Sequence, residues 1–197
     1  PKLQELNWSG DMLSEEALPF PIADATALSE LTVDVVVIDK HFHFPTQLTA
    51  LQLIVKIGTV DVSLLTPLTR LQDLFIAVDE DRNLLDLSGL TALTSLNSNN
   101  SPVTRLPTSL VECNIVVQSN ADIMDLTRLT SLTLTMKPSV HVMFPTGLKQ
   151  LLIEKGPLAN TNIGDVSLET FKSVPWQRIT RGDLETLPKT VKRIGVA

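Results

Sequence analysis

The feature that most constrains this chain is a short unit that keeps returning along it. Its clearest copy is Leu90-Thr91-Ala92-Leu93-Thr94-Ser95-Leu96-Asn97-Ser98-Asn99-Asn100. Written as T-x-L-x-x-L-x-φ, with φ apolar, it recurs as Thr46-Gln47-Leu48-Thr49-Ala50-Leu51-Gln52-Leu53 and as Thr127-Arg128-Leu129-Thr130-Ser131-Leu132-Thr133-Leu134. One such copy is too short to bury its own apolar face. Stacked copies share a core, so a repeat of this kind restricts the fold to an array.

Marked by its first apolar residue, the unit begins at Leu3, Leu28, Leu48, Leu71, Leu93, Leu110, Leu129, Leu148, Phe171 and Val191, with spacings of 25, 20, 23, 22, 17, 19, 19, 23 and 20 residues. The fourth position carries Leu6, Leu31, Leu51, Leu74, Leu96, Cys113, Leu132, Leu151, Val174 and Ile194. The sixth carries Trp8, Val33, Leu53, Ile76, Ser98, Ile115, Leu134, Ile153, Trp176 and Val196. Period-two alternation rich in Val, Ile and Thr predicts one short strand per unit. The returns come in two kinds. One ends in an apolar residue, Pro and Thr, as in Phe44-Pro45-Thr46 and Phe144-Pro145-Thr146; the other has no such ending, as in Leu87-Ser88-Gly89-Leu90. Proline fixes φ and removes a donor, and neither kind has room for a helix, so extended or 3₁₀ returns are expected.

The pattern resembles the leucine-rich repeat, L-x-x-L-x-L-x-x-N/C-x-L, and its short returns are similar to those of internalins and of the phosphatase-regulator type. Degenerate arrays of protists and some bacteria share its mixture of leucine-proline-threonine and short units. The resemblance implies an α/β-type solenoid: a right-handed superhelix with a parallel β-sheet on the concave side and mostly 3₁₀ turns and coil on the convex side. Residues 1–197 are expected to form one domain of about ten units, or a stretch of a longer array. The family's ninth-position asparagine is replaced by Asp11, Val36, Lys56, Asp79, Ser101, Gln118 and Lys137 in the first seven units, so its asparagine ladder is missing.

Composition fits thin aliphatic layers: hydrophobic residues are 43%, aromatics 4%, and there is no tyrosine. A net charge of −6 argues against nucleic acid or an anionic membrane surface as the main partner. No apolar run approaches the roughly 18 residues of a membrane span. Pro1-Lys2-Leu3 enters a repeat at once, and no secretory leader is expected. The single cysteine, Cys113, forbids an intrachain disulfide and favours a reducing, cytoplasmic setting over an extracellular one, although bacterial cell-surface arrays also manage without cysteine. The outermost strands leave edges that could pair end to end between copies.

The inventory for catalysis is thin. Cys113 stands where other units have Leu, Val or Ile, which reads as a buried, inert thiol. His41 and His141 fall at matching positions of two returns, with His43 beside the first, and no third ligand has zinc-site spacing. Asp79-Glu80-Asp81 is an acidic loop without the spacing of a calcium site. The sequons Asn7-Trp8-Ser9 and Asn99-Asn100-Ser101 fall on strands or strand ends, where chance matches are expected. No catalytic residue, cofactor or metal is assigned.

The remaining candidate is the concave sheet, lined by residues that alternate with the buried leucines. Ile54 and Phe75 are expected to form an exposed apolar pair with Glu30, Asp34 and Asp73 around it, extended by Asn97, Asn99, Glu112 and Asn114. An aromatic anchor with an acidic rim fits a partner-protein surface. The expected function is a non-enzymatic scaffold that binds another protein there. The alternative is a structural or adhesin-like segment of a longer array.

Overall fold

In a computed structural model the chain describes residues 3–14, 22, 25–39, 41–57, 60–78, 85–119, 121–174 and 180–196. Two compact units are present, Pro1–Pro107 and Thr108–Ala197. The first contains strands β1 (Glu5–Leu13), β2 (Glu30–Ile38), β3 (Ala50–Val55), β4 (Asp73–Val78), β5 (Leu85–Asp86) and β6 (Ser95–Arg105). Its sheet runs β1-β2-β3-β4-β6, with every pair parallel, and β5 joins the far end of β6. The second contains β7 (Glu112–Val117), β8 (Ala121–Asp122), β9 (Ser131–Met136), β10 (Val142–Met143), β11 (Gln150–Lys155), β12 (Thr170–Ser173) and β13 (Arg193–Val196). Its sheet runs β7-β9-β11-β12-β13, again parallel, and β8 pairs with β10 on the return side. Each unit is therefore a parallel-sheet solenoid with one main strand per turn.

The registers explain why the leucine columns work. Leu31, Leu51, Leu74 and Leu96 lie opposite one another, as do Cys113, Leu132 and Leu151. All seven are at most 5% exposed. Side chains alternate across a strand, so these columns and the sixth-position columns form the dry side of each sheet. Fully burying one such side chain contributes about 1.5–3 kcal/mol of transfer free energy. Phe42 and Phe44, packed edge to face with ring centroids 5.0 Å apart, close the core behind β3 in unit 1.

The returns are mostly turns, as their length dictates. Single 3₁₀ turns lie at Val62–Leu64, Leu158–Asn160 and Ile163–Asp165. The helix α1 (Arg181–Glu185) is held by a capping box between Thr180 and Asp183. Both kinds of return enter the next strand through the same bend. In the proline kind the Leu48 and Leu148 amides donate to Pro45 and Pro145; in the other kind the Leu71, Leu93 and Leu129 amides donate to Leu68, Leu90 and Leu126. Proline is tolerated because only its carbonyl is used.

A hydroxyl ladder runs along the second position, one residue after each unit's first leucine. The Thr49 and Ala50 amides both donate to the Ser29 carbonyl, and Thr49 Oγ1 donates to it as well. Thr94 and Thr130 repeat the arrangement on Gln72 and Val111. One carbonyl thus gathers donors from the next turn at the entry of each of these strands.

The structure corrects the phase of the ninth unit. Phe171 of β12 lies opposite Leu151 and Ile194, so it fills the fourth position, and Leu168, fully buried, is the first. The ladder agrees: the Glu169 and Thr170 amides share the Lys149 carbonyl, and the Lys192 and Arg193 amides share that of Glu169. The spacing Phe171-x-x-Val174 imitates the repeat because Ser173, buried, interrupts the true one at its sixth position. Trp176, placed at the sixth position on the other phase, lies outside the described residues, as does the acidic loop Asp79-Glu80-Asp81.

Candidate binding surface

On the open face of the unit 1 sheet, the outward residues of four strands surround a hollow of about 270 Å³. Register places Glu30, Ala50, Asp73 and Ser95 in one row and Thr32, Gln52, Phe75 and Asn97 in the next. Ala50 is the small residue of its row, so it leaves a notch between two carboxylates that stand two strands apart, roughly 9.5 Å along the row. The Phe75 ring forms the adjoining wall and is half-buried. Glu30 and Asp73 are exposed, and neither has an ion-pair partner among the described residues. The hollow is smaller than the roughly 300–1,000 Å³ of small-molecule clefts, which suits one inserted side chain better than a free ligand.

The expected surface is thus only partly assembled. Glu30, Asp73, Phe75 and Asn97 come together at the hollow. Ile54 and Phe75 are diagonal neighbours and not register partners: Ile54 lies opposite Asp34 and Ala77, Phe75 lies opposite Gln52, and both are half-buried. A diagonal offset along the pleat separates them, which reading columns one at a time cannot reveal. Asp34 is answered by Lys56, whose ammonium lies 2.9 Å from its carboxylate, so this acid contributes little net charge to the rim. Asn99 is exposed and its amide donates to Asn97 Oδ1. Glu112 and Asn114 belong to β7 of unit 2 and are described with that unit.

The other candidates fall where their chemistry is quiet. Cys113 is 5% exposed, and burial, aided by the charge of Glu112, pushes its thiol up to about 12. A thiol in that state supplies almost no nucleophilic thiolate at neutral pH. His41 and His43 are exposed on a return, where the His41 amide donates to Asp39 Oδ1. Among the described residues no three His, Cys, Asp or Glu side chains converge as metal ligands would. No described helix is long and apolar enough to cross a membrane. In the sequon Asn99-Asn100-Ser101 the Ser101 side chain is fully buried and accepts the Val78 amide at 3.0 Å.

A parallel sheet of one-strand turns, leucine columns inside and short turns behind, defines a leucine-rich-repeat architecture. No family model and no curated protein matches the sequence. Solved structures do share the fold. An internalin (inlF) from Listeria monocytogenes superposes with a TM-score of 0.52 at 19% identity, over 99% of this chain and 67% of that one. A circular leucine-rich-repeat protein, CroV588, gives 0.50 at 18% identity, over 98% of this chain and 33% of that one. The chain has the leucine-rich-repeat fold.

Proposed function

We propose that this chain is a non-enzymatic interaction module and that the open sheet face of unit 1 docks a partner protein through the hollow beside Phe75. Leucine-rich-repeat proteins are typically modules of this kind. The observation that carries the placement is the notch over Ala50, where two carboxylates with no ion-pair partner among the described residues converge with an aromatic wall. An aromatic side chain in a recess can anchor an interface, and unpaired acids beside it select a basic group on the partner. Glu30, Asp73, Phe75 and Asn97 line the recess, with Ile54, Asp34 and Asn99 flanking it. Glu112 and Asn114 give unit 2 polar outward positions of the same kind.

The test is capture of a partner from an extract of the cells that make the protein, comparing the unaltered chain with Phe75→Ala plus Asp73→Ala. Loss of a captured protein with the double variant supports this surface. Equal capture by both moves the site elsewhere, and no capture by either favours a structural segment.

A further inference from the structure

Unit 2 carries a second recess whose chemistry is the opposite of the first. On its open sheet face, Gln150, Thr170, Lys172, Lys192, Arg193 and Gly195, together with Ile194, surround a hollow of about 540 Å³, with no carboxylate among the described lining residues. Register sets Thr170 directly opposite Arg193, and Lys172 directly opposite Gly195. Lys172 is also two residues along the same strand from Thr170, roughly 6.6 Å. Two cations thus flank one threonine. Lys172 and Arg193 are exposed and have no ion-pair partner among the described residues, while the Lys192 ammonium lies 3.6 Å from Glu169. The Glu169 carboxylate offsets Lys192, so the net positive charge of the recess rests on Lys172 and Arg193.

Two details set this place apart from the other outward positions. Thr170 is 7% exposed although it belongs to an outward row, and its Oγ1 has no hydrogen-bond partner. Buried hydroxyls are nearly always satisfied, so an orphan at the foot of a basic recess calls for an acceptor that arrives from outside. Oγ1 is itself screened from solvent, so it meets a ligand only after a step of χ1 to another staggered rotamer. Gly195 is the second detail. Its backbone is not in the left-handed region, and a Cβ added there would meet Lys172 Cγ at an ordinary 3.9 Å. Neither conformation nor crowding demands glycine, and its missing side chain leaves the floor beside Lys172 clear.

We infer that this recess binds a phosphoryl group carried on a serine or threonine of a partner protein. A phosphate monoester offers three strong acceptor oxygens, matching the Arg193 fork, the Lys172 point charge and the Thr170 hydroxyl. Three basic residues fall short of the clusters of about four to eight that hold anionic membranes. Among the described residues the lining has no aromatic ring on which a nucleic-acid base could stack. The inference does not depend on the docking surface of unit 1.

The experiment is an NMR titration of the full chain with the peptide acetyl-Gly-phosphoserine-Gly-amide. Its serine and glutamate counterparts, inorganic phosphate, and vesicles containing phosphatidylserine serve as comparators. Saturable shifts at the amides of Thr170, Lys172 and Gly195 are expected for the phosphopeptide, about tenfold tighter than for the glutamate peptide and absent for the serine peptide. Arg193→Gln should weaken binding by about tenfold. Thr170→Val should weaken it about threefold while leaving the thermal midpoint unchanged or higher, a combination that a merely structural threonine would not give. Shifts spread over other faces, or affinity untouched by both variants, would overturn the proposal. Equal affinity for free phosphate, or tighter binding to the vesicles, would overturn the assignment to a phosphorylated protein.

Discussion

The two units share one buried design and present opposite chemistry on their open faces. In unit 1 the outward row reads Glu5, Glu30, Ala50, Asp73 and Ser95; in unit 2 the corresponding row reads Glu112, Ser131, Gln150, Thr170 and Arg193. Beneath both rows lies the same kind of column, with Leu31, Leu51 and Leu74 in one unit and Leu132, Leu151 and Phe171 in the other. The inward positions are fixed because a solenoid turn must bury the same face as its neighbours. The outward positions carry no such demand, and there one unit has gathered acids around an aromatic ring and the other cations around a threonine.

If the inward columns are equivalent, deleting equivalent leucines should cost the same in both units. Leu53→Ala and Leu134→Ala, both at fully buried sites, are each expected to lose about 2–5 kcal/mol in denaturant titrations. A large cost in one unit and almost none in the other would break the equivalence. Next in size is Ser101→Ala, which leaves the Val78 amide without its side-chain acceptor and should cost about 1–3 kcal/mol. A neutral result would mean that this amide finds another partner.

The two orphan hydroxyls sharpen the contrast further. Ser98 and Thr170 are both buried with no partner for Oγ, but Ser98 lies in an inward column and Thr170 in the basic recess. Ser98→Val and Thr170→Val should each stabilise the fold by about 1 kcal/mol, read from the unfolding midpoint. Only the second should alter anion binding. The smallest change is expected at Cys113, whose thiol should resist modification at neutral pH until the protein is unfolded. Because its folded pKa is raised from 9.0 to about 12, its contribution to stability is complete below pH 9 and is lost as pH rises toward 12. Early labelling of the native thiol would contradict its burial.

The buried half of each turn was legible in the sequence because hydrophobic spacing reports burial directly. Leu28, Leu48, Leu71, Leu93, Leu129 and Leu148 are all fully buried where the pattern put them. Register between strands was less legible, since each column is read without its offset to the next. That is why Ile54 and Phe75 were expected as a pair, and why the answer of Lys56 to Asp34 went unseen. The basic recess was hidden by the ninth unit's phase. Once Leu168 is taken as the first position, Lys172 moves into an outward column beside Arg193 on the next strand, and the cluster can be read from sequence. The hydroxyl ladder was also present in the letters, as Ser29, Thr49, Thr94 and Thr130, but only the fold shows which carbonyl each one meets.

The most direct test of the division between inward and outward columns pairs two measurements on one variant. Phe75→Ala plus Asp73→Ala should keep its unfolding free energy within about 1–2 kcal/mol of the unaltered chain, because Phe75 is only half-buried and Asp73 is exposed. The same variant should lose the captured partner. Full-strength capture by a stably folded variant would contradict the account and remove the docking surface from this face.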